Sequence, residues 1–257
     1  MTSRKDRYYN RAKQEGYRAR SAYKLKQLHQ TADLLAPGRT VVDLGAAPGG
    51  WLQVAAEEVG SDGRVVGVDR QRIAPLESAT ADVETIRGDL TDEDTTERIR
   101  AAVDGTADIV LSDLAPEMSG EYDLDHARSV HLARQALDVA LDILNDGGDF
   151  VVKVFDGRDL EDLEADIARD FTSVRQVRPD ASRDASSELY LVAKGRLTAP
   201  IRPGDEVTVE IVDIGREGDG IAKIEGFTVF VADTEEGETV PVKITDVKPR
   251  FGFAERR

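Results

Sequence analysis

The sequence predicts a doubly wound α/β sheet followed by a small all-β barrel. Over residues 40–193, short β-branched runs alternate with segments that have the apolar period of a helix. This alternation is typical of a largely parallel sheet covered by helices on both faces. After Thr198-Ala199-Pro200 the helical period is lost, and short apolar runs alternate with glycine turns, which favours a barrel. We therefore expect one domain at residues 1–197 and another at 198–257.

Seven strands and five helices are predicted for the first domain. The predicted strands are 40–44, 64–69, 83–87, 108–113, 149–155, 173–177 and 188–193. The predicted helices are 18–35, 51–59, 92–103, 125–145 and 159–170, and Pro37-Gly38 ends the first of them. Residues 1–17 are polar and basic and contain several tyrosines, and we expect them to be flexible when no partner is bound. In the second domain, apolar runs at 206–214, 220–224, 227–231 and 238–244 predict a barrel of about five strands.

Composition excludes several kinds of chemistry. The 257 residues contain no cysteine, which excludes disulfides, cysteine-held iron–sulfur clusters and a cysteine nucleophile. The formal net charge is −16, and the acids crowd predicted helix surfaces, as in proteins adapted to high salt. We see neither a secretory signal nor an apolar run of membrane-spanning length, and we expect a cytoplasmic protein.

Positive charge is concentrated at the N-terminus. Residues 1–26 contain nine Lys and Arg against two acids, a balance of +7 that leaves −23 for the remainder. Tyr8, Tyr9, Tyr17 and Tyr23 are interspersed among these cations. Cations contact phosphates and aromatic rings stack on bases, so this basic arm favours an RNA partner. The alternative is a solvated tail.

Lys153 lies in the middle of an apolar strand, residues 149–155. Lysine is rarely buried without a partner, because an unpaired ammonium in a low dielectric is costly. Free lysine has a pKa of about 10.4, too high for an efficient base at neutral pH, but burial and a nearby cation lower the pKa of an amine. Lys153 is therefore a candidate base, the alternative being a strand residue whose amine reaches water.

A glycine-rich turn, Asp43-Leu-Gly-Ala-Ala-Pro-Gly-Gly50, joins the first strand to a helix. Such a turn lets the backbone approach a ligand closely and points helix N–H groups towards it. It lacks the spacing of a dinucleotide fingerprint, so it indicates a nucleotide-like cofactor or, alternatively, a simple helix cap. Asp69, Asp89 and Asp113 each end a predicted strand, and we expect them to meet at one sheet edge beside this turn.

Four motifs together resemble the RlmE/FtsJ-type ribosomal RNA large-subunit methyltransferases. They are Asp43–Trp51, Ser112-Asp-Leu-Ala-Pro-Glu-Met-Ser-Gly120, Val151-Val-Lys-Val-Phe-Asp-Gly157 and Ser187-Glu-Leu-Tyr190. The resemblance implies a Rossmann-like methyltransferase sheet and methylation of a uridine ribose 2′-hydroxyl in large-subunit rRNA, with S-adenosylmethionine as cofactor. Residues 198–257 resemble a TRAM domain, an RNA-binding barrel found in archaeal members. The implied partner is large-subunit rRNA, within an assembled or assembling subunit, and the protein is expected to be a monomer.

The resemblance also assigns site residues. The catalytic set falls on Lys24, Asp113, Lys153 and Glu188, and the cofactor contacts fall on Gly49, Trp51, Asp69, Asp89 and Asp113. Two departures stand out: Glu117 replaces the asparagine common in bacterial members, and the segment between Asp69 and Asp89 differs in length. No protein-bound metal is expected, because His29, His126 and His131 lack ligand spacing with carboxylates and are interpreted as helix-surface residues.

Other interpretations stay open at this point. Lys24 by itself would be a phosphate contact, Asp113 a turn cap, Glu188 an exposed acid and Trp51 a core residue. The functional alternatives are a small-molecule O-methyltransferase, a base N-methyltransferase, a 2′-O-methyltransferase acting on another RNA such as tRNA, and a non-catalytic rRNA-binding assembly factor. A base N-methyltransferase would carry an Asn/Asp-Pro-Pro-aromatic tetrad after the fourth strand, where this chain has Asp113-Leu-Ala-Pro116.

Overall fold

The structure, a computed structural model, describes residues 4–77, 79–182 and 186–257, with the side chains of residues 4–6 left aside. The helices are α1 (Arg4–Glu15), α2 (Ala22–Ala32), α3 (Gly50–Val59), α4 (Glu93–Ala102), α5 (Tyr122–Ile143) and α6 (Leu160–Ala168). The first seven strands are β1 (Thr40–Leu44), β2 (Arg64–Asp69), β3 (Asp82–Arg87), β4 (Ala107–Ser112), β5 (Leu144–Phe155), β6 (Phe171–Val177) and β7 (Glu188–Arg196).

These seven strands form one sheet in the order β3-β2-β1-β4-β5-β7-β6. Among these seven strands, β7 alone runs in the direction opposite to the others, so its pairings with β5 and β6 are antiparallel. Separate apolar cores cover the two faces: one includes residues of α4, α5 and α6, and the other includes residues of α2 and α3. The predicted seven-stranded α/β sheet is confirmed. Because β1, β2, β4 and β5 are parallel, their carboxyl ends meet at one edge.

The second unit is a closed five-stranded barrel, as predicted. Its strands are β8 (Glu206–Ile214), β9 (Gly220–Ile224), β10 (Phe227–Val231), β11 (Thr239–Val247) and β12 (Phe251–Arg256), in the order β10-β12-β11-β8-β9. The sequence pattern did not place β12. Its inward residues are the small Gly252 and Ala254 and its phenylalanines point outward, so it lacks the apolar inner face that identifies a strand.

The barrel joins the sheet at the edge opposite the carboxyl ends of β4 and β5. Thr198 Oγ1 donates to Asp146 Oδ1 near the start of β5, at 2.9 Å, and Arg202 pairs with Asp170 just before β6, at 2.6 Å. The barrel is thus tied to the sheet at the amino end of β5, whereas Lys153 lies near its carboxyl end.

The expectation that residues 1–17 are flexible is wrong for the part that the structure describes. Residues 4–15 form α1, and buried Tyr8 and Ala12 pack with Tyr23 of α2. Tyr23 also donates to Glu15 at 2.7 Å. Aromatic burial therefore fixes a segment that its polar composition alone leaves unspecified. None of the helices in the described ranges has the length and apolar content that a membrane-spanning segment needs.

Candidate functional site

Lys153 and Asp113 form the centre of a cluster at the carboxyl edge of the sheet. Ser112 of β4 is in register with Val152 of β5, so Asp113 and Lys153 are the next pair along these strands. The Lys153 amine donates to the Asp113 carboxylate at 2.9 Å and to the Asp113 main-chain oxygen at 2.5 Å. Only 5% of the Lys153 side chain is exposed, so the amine is held by Asp113 and does not extend into bulk water.

Lys24 and Glu188 complete the predicted set. Lys24, in the first turn of α2, pairs with Glu188 Oε1 at 2.6 Å and lies 4.0 Å from Asp113 Oδ1. Glu188 begins β7 opposite Phe155. Two cations and two acids that are far apart in the sequence therefore lie together, each mostly buried. Such alternation offsets part of the cost of burying four charges.

Tyr190 belongs to the same cluster, and the sequence analysis did not assign it a role. It is fully buried, lies opposite Lys153 in the β5–β7 pairing, and donates to Asp113 Oδ1 at 2.7 Å. Lys24 also lies 5.8 Å from the centre of its ring. The sequence did contain a signal for Tyr190: it lies two residues after Glu188 in the same strand, and alternate residues of a strand share a face.

These contacts set the charge of the cluster. Burial by itself would raise the pKa of Asp113, but the charges of Lys153 and Lys24 and the hydrogen bond from Tyr190 outweigh it and hold that pKa below its usual range. Burial, with the nearby Asp113 charge, raises the pKa of Tyr190 well above its ordinary value. Tyr190 therefore stays a neutral donor while Asp113 stays ionised.

The glycine-rich turn lies beside this cluster, between β1 and α3. Gly49 has a φ of +108°, a conformation that favours glycine, and a side chain there would collide with Arg18. The Asp69 carboxylate accepts from the main-chain N–H groups of Ala47, at 3.0 Å, and Gln71, at 2.7 Å. Asp69 thus shapes the turn and keeps further lone pairs for a ligand.

Asp43, the first residue of the turn motif, is fully buried, and neither of its carboxylate oxygens has a hydrogen-bond partner among the described residues. Burial, followed by repulsion from Asp113 and Asp69, raises its pKa well above the usual range. A buried carboxylate without a partner is costly. Its position beneath the glycine-rich turn fits a ligand that carries positive charge.

The other predicted cofactor contacts differ in their surroundings. The Trp51 ring lies in the core, where its Nε1 donates to Ser21 O at 2.8 Å and ties α3 to the start of α2. Only the main chain of Trp51, in the first turn of α3, is therefore free to meet a ligand. Asp89 accepts from Thr91 and pairs with Arg70 at 3.3 Å, and the Thr91 hydrogen bonds lower its pKa.

Arg18 is a further residue that the sequence analysis left among the general cations. Its guanidinium donates to Ala74 O and Pro75 O, both at 2.5 Å, and to Pro48 O at 3.3 Å. Gln53 of α3 accepts from the Arg18 main-chain N–H. Arg18 therefore joins the glycine-rich turn to the loop after β2, and its guanidinium is engaged with carbonyl oxygens at the surface of the protein.

His126 does not lie on the helix surface, contrary to the prediction. It is buried in the first turns of α5, where Nδ1 bonds Phe155 O at 2.8 Å and Nε2 accepts from the Asp159 N–H at 3.1 Å. The preceding residue, Asp125, accepts from the main-chain N–H groups of Ser119 and Gly120. Neighbouring residues of α5 thus fix the loops that follow β4 and β5. Within the ranges described, no group of three His, Asp or Glu has metal-binding geometry.

Comparison of the sequence with known protein families identifies the family in which this arrangement occurs. Residues 17–196 match the family of FtsJ-like methyltransferases. The chain belongs to that family. The resemblance inferred from the four motifs is thereby confirmed, and this FtsJ-like methyltransferase also matches the TRAM domain over residues 200–256.

Close relatives of this FtsJ-like methyltransferase carry both parts. A Haloarcula marismortui protein named ribosomal RNA large subunit methyltransferase E is 66% identical over 259 residues, covering 98% of each chain. A Halobacterium salinarum protein of the same name is 64% identical, covering 100% of this chain and 99% of the other. The crystal structure of a putative ribosomal RNA methyltransferase from Plasmodium falciparum matches with a TM-score of 0.63 and 26% identity, covering 70% of this chain and 98% of that one.

Proposed function

We propose that this methyltransferase transfers a methyl group from S-adenosylmethionine to the ribose 2′-hydroxyl of a uridine in large-subunit rRNA. The observation that carries the proposal is the buried Lys153–Asp113 pair at the edge of the sheet next to the glycine-rich turn. Relatives of more than 60% identity over almost the whole chain are named as methyltransferases of large-subunit rRNA. The substrate is bound in an assembled or assembling subunit, in the cytoplasm, by a monomer.

Lys153 is the proposed catalytic residue. Methylation of a hydroxyl forms an O–C bond and releases the hydroxyl proton, so the site needs a group that takes this proton or holds the developing alkoxide. Asp113 fixes the direction of the Lys153 amine through two contacts. Lys24 and Glu188 orient the ribose beside it, and Tyr190 keeps the Asp113 carboxylate in place.

The residues around the glycine-rich turn fit S-adenosylmethionine. When bound, this cofactor supplies a methyl group on a positively charged sulfur. We assign its binding to Gly49, the main chain of Trp51, Asp69, Asp89 and Asp113. The unpartnered carboxylate of Asp43 matches a cationic ligand, and the left-handed Gly49 leaves room for close approach.

RNA as substrate is supported by the basic arm and by the TRAM domain, which a small-molecule methyltransferase does not need. Several cations of the arm are engaged within the protein, however. Arg18 and Arg20 bond carbonyl oxygens, Lys26 pairs with Glu57, and Lys24 belongs to the site. RNA contacts of the arm therefore fall to its remaining cations, such as Arg7 and Lys13 on α1. A tRNA substrate remains the second candidate, supported by the same basic and RNA-binding features.

Tritium transfer from labelled adenosylmethionine to large subunits lacking the modification tests the proposal, with nuclease digestion to identify 2′-O-methyluridine. The Lys153→Met variant should lose at least about 100-fold in single-turnover rate, the scale of general acid–base catalysis. Cofactor affinity should be retained. Lys243→Met, which changes an exposed barrel lysine, is the control.

Near-normal methylation by Lys153→Met would remove Lys153 from the mechanism. If the wild-type protein methylates deproteinised tRNA but does not methylate the large subunit, the tRNA alternative is favoured. A wild-type protein that binds RNA without transferring label to either would favour the non-catalytic assembly factor.

A further inference from the structure

The buried ring of Trp51 contacts the peptide group from which the helix of Lys24 begins. Trp51 is 3% exposed and lies in the first turn of α3. Its Nε1 donates to the main-chain oxygen of Ser21 at 2.8 Å. The same oxygen accepts the N–H groups of Lys24, at 2.9 Å, and Leu25, at 3.4 Å. The Trp51 indole therefore bonds the peptide group that also holds the main chain of Lys24.

The start of α2 is held by α3 instead of by a cap of its own. Ser21, the N-cap residue, makes no side-chain hydrogen bond to the first turn of α2, all of which the structure describes. A helix start without a side-chain cap lacks the local group that usually fixes it. Just before it, Ala19 lies against Gly50 of α3 so closely that a side chain on Gly50 would come within 3.1 Å of the Ala19 Cβ. Contacts to α3 therefore place the first turn of α2, and the Trp51 bond is the one that reaches the hydrogen-bond partner of Lys24.

The Trp51 ring also supports a second member of the catalytic cluster. Its centre lies 5.8 Å from that of the Tyr190 ring, with an interplanar angle of 35°. Tyr190 donates to Asp113 at 2.7 Å, and the Lys24 amine lies 5.8 Å from the Tyr190 ring centre. The main chain of Trp51 lies two residues after the left-handed Gly49. One residue thus touches the supports of Lys24 and Asp113 and belongs to the cofactor side of the site.

Lys24 is the member of the cluster that depends most on such support. Lys153 and Asp113 lie on adjacent strands whose register sets their separation, whereas Lys24 reaches the cluster from a helix on a flexible stem. Its amine pairs with Glu188 at 2.6 Å and lies 4.0 Å from Asp113 Oδ1. A displacement of about 1 Å in a group that orients the substrate can cost about 100-fold in rate. The position of the α2 main chain therefore matters for the reaction.

We propose that the Trp51 side chain is a positioning residue, which holds Lys24 where it orients the ribose. The inference rests on the proposed function, since it concerns the rate of ribose methylation. It assigns different roles to two parts of one residue: the main chain meets the cofactor, and the indole N–H holds the helix of Lys24. Loss of the N–H alone lowers the rate of methyl transfer and leaves cofactor affinity in place.

Trp51 is the only tryptophan in the sequence, so a tryptophan-auxotrophic expression strain replaces it alone with an analogue. β-(3-Benzothienyl)alanine has the shape of tryptophan but carries sulfur in place of the N–H, whereas 5-fluorotryptophan keeps the N–H. The full chain with each analogue is compared with wild type in single-turnover label transfer to unmodified large subunits. S-adenosylhomocysteine affinity and thermal unfolding are measured on the same proteins. Both replacements are repeated in a Lys24→Met background.

We expect benzothienylalanine to lower the single-turnover rate about tenfold, the upper end of what one hydrogen bond between neutral groups contributes. S-adenosylhomocysteine affinity should stay within about threefold of wild type, and 5-fluorotryptophan should restore the rate to the same margin. In the Lys24→Met background, benzothienylalanine should cause little further loss, because changes that act through the same group are not additive. A ring that only fills the core would give the same loss in both backgrounds.

The inference is overturned if the benzothienylalanine protein reacts as fast as wild type. It is also overturned if cofactor affinity falls in parallel with the rate, or if the full loss recurs in the Lys24→Met background. Where Lys24→Met reacts too slowly to compare, the split between rate and cofactor affinity decides. Wild-type protein that transfers no label to large subunits would end the proposed function and the inference with it, whereas the other contrary results leave the proposed function standing.

Discussion

The charge state of single residues follows from where the fold buries them. Asp113 and Asp43 are both acids at the carboxyl edge of the sheet, yet their pKa values move in opposite directions. Asp113 is surrounded by Lys153, Lys24 and Tyr190, which favour the ionised form. Asp43 has no such neighbours among the residues that the structure describes, and burial favours its protonated form. Partners, and not burial alone, therefore decide which acid carries charge.

The raised pKa of Asp43 makes stability depend on pH in a defined direction. The folded state holds the Asp43 proton more tightly than the unfolded state, so this residue lowers stability as pH rises above the unfolded pKa of about 3.9. Asp43→Asn removes this dependence and adds a pH-independent cost for an unpaired amide. Thermal unfolding from pH 4 to pH 8 should show the variant gaining stability relative to wild type as pH rises.

The same variant should bind S-adenosylhomocysteine almost normally but S-adenosylmethionine more weakly, because the sulfonium charge of S-adenosylmethionine favours the ionised form of Asp43, a charge that asparagine lacks. Asp142→Asn, which changes a surface acid paired with Arg100, is the control. A stability difference that stays constant across the pH range would contradict the assignment of a protonated Asp43.

At the scale of elements, the loops around the site are held by contacts from helices that lie elsewhere in the chain. Arg18, between α1 and α2, bonds carbonyls of the glycine-rich turn and of the loop after β2. The first turns of α5 hold the loops after β4 and β5 through Asp125 and His126. Main-chain carbonyl and N–H groups in these loops have no strand partner, so side chains satisfy them.

Replacing Arg18 with alanine should loosen the cofactor side of the site. The variant loses three contacts to carbonyl oxygens. We expect S-adenosylhomocysteine affinity to fall about tenfold, close to the contribution of one hydrogen bond from a charged group. Isothermal titration calorimetry measures this. Arg11→Ala removes a pair with Glu15 within α1 and should leave affinity unchanged; equal losses in the two variants would refute a specific role of Arg18.

At the scale of the whole molecule, net charge opposes folding in dilute buffer. A charge of −16 on one chain repels itself, and salt reduces this repulsion by shortening the screening length from about 10 Å at 0.1 M to about 3 Å at 1 M. The positive charge of the basic arm, residues 1–26, offsets only part of this repulsion, and only near the N-terminus. Stability of this protein is therefore coupled to its ionic environment.

The midpoint of thermal unfolding should rise by several degrees between 0.1 M and 1 M KCl. Scanning calorimetry at fixed pH measures the rise. A variant with Glu210, Glu235 and Glu236 changed to glutamine removes three exposed charges of the barrel and should show a smaller rise. If wild type and variant respond equally to KCl, self-repulsion is not the cause of the salt dependence.

The fold class and the family could be predicted from the sequence, because strand and helix periods, the glycine-rich turn and short motifs are local or periodic properties. Lys153 and Asp113 stood out from their own positions in strands, whereas Lys24 and Glu188 were assigned only through the family resemblance. A buried lysine in an apolar strand required a partner, and the carboxyl-end acids supplied one because parallel strands end at a common edge.

Which side chains share an environment follows from the three-dimensional packing. Tyr190 joins the site through the pairing of β5 with β7, α1 is ordered by burial of Tyr8 against Tyr23, and His126 is buried by the loop after β5. The structure also showed β12, whose outward phenylalanines have no periodic signal from an inner face. Each of these depends on contacts between distant segments, and such contacts follow from packing and register, which local sequence does not specify.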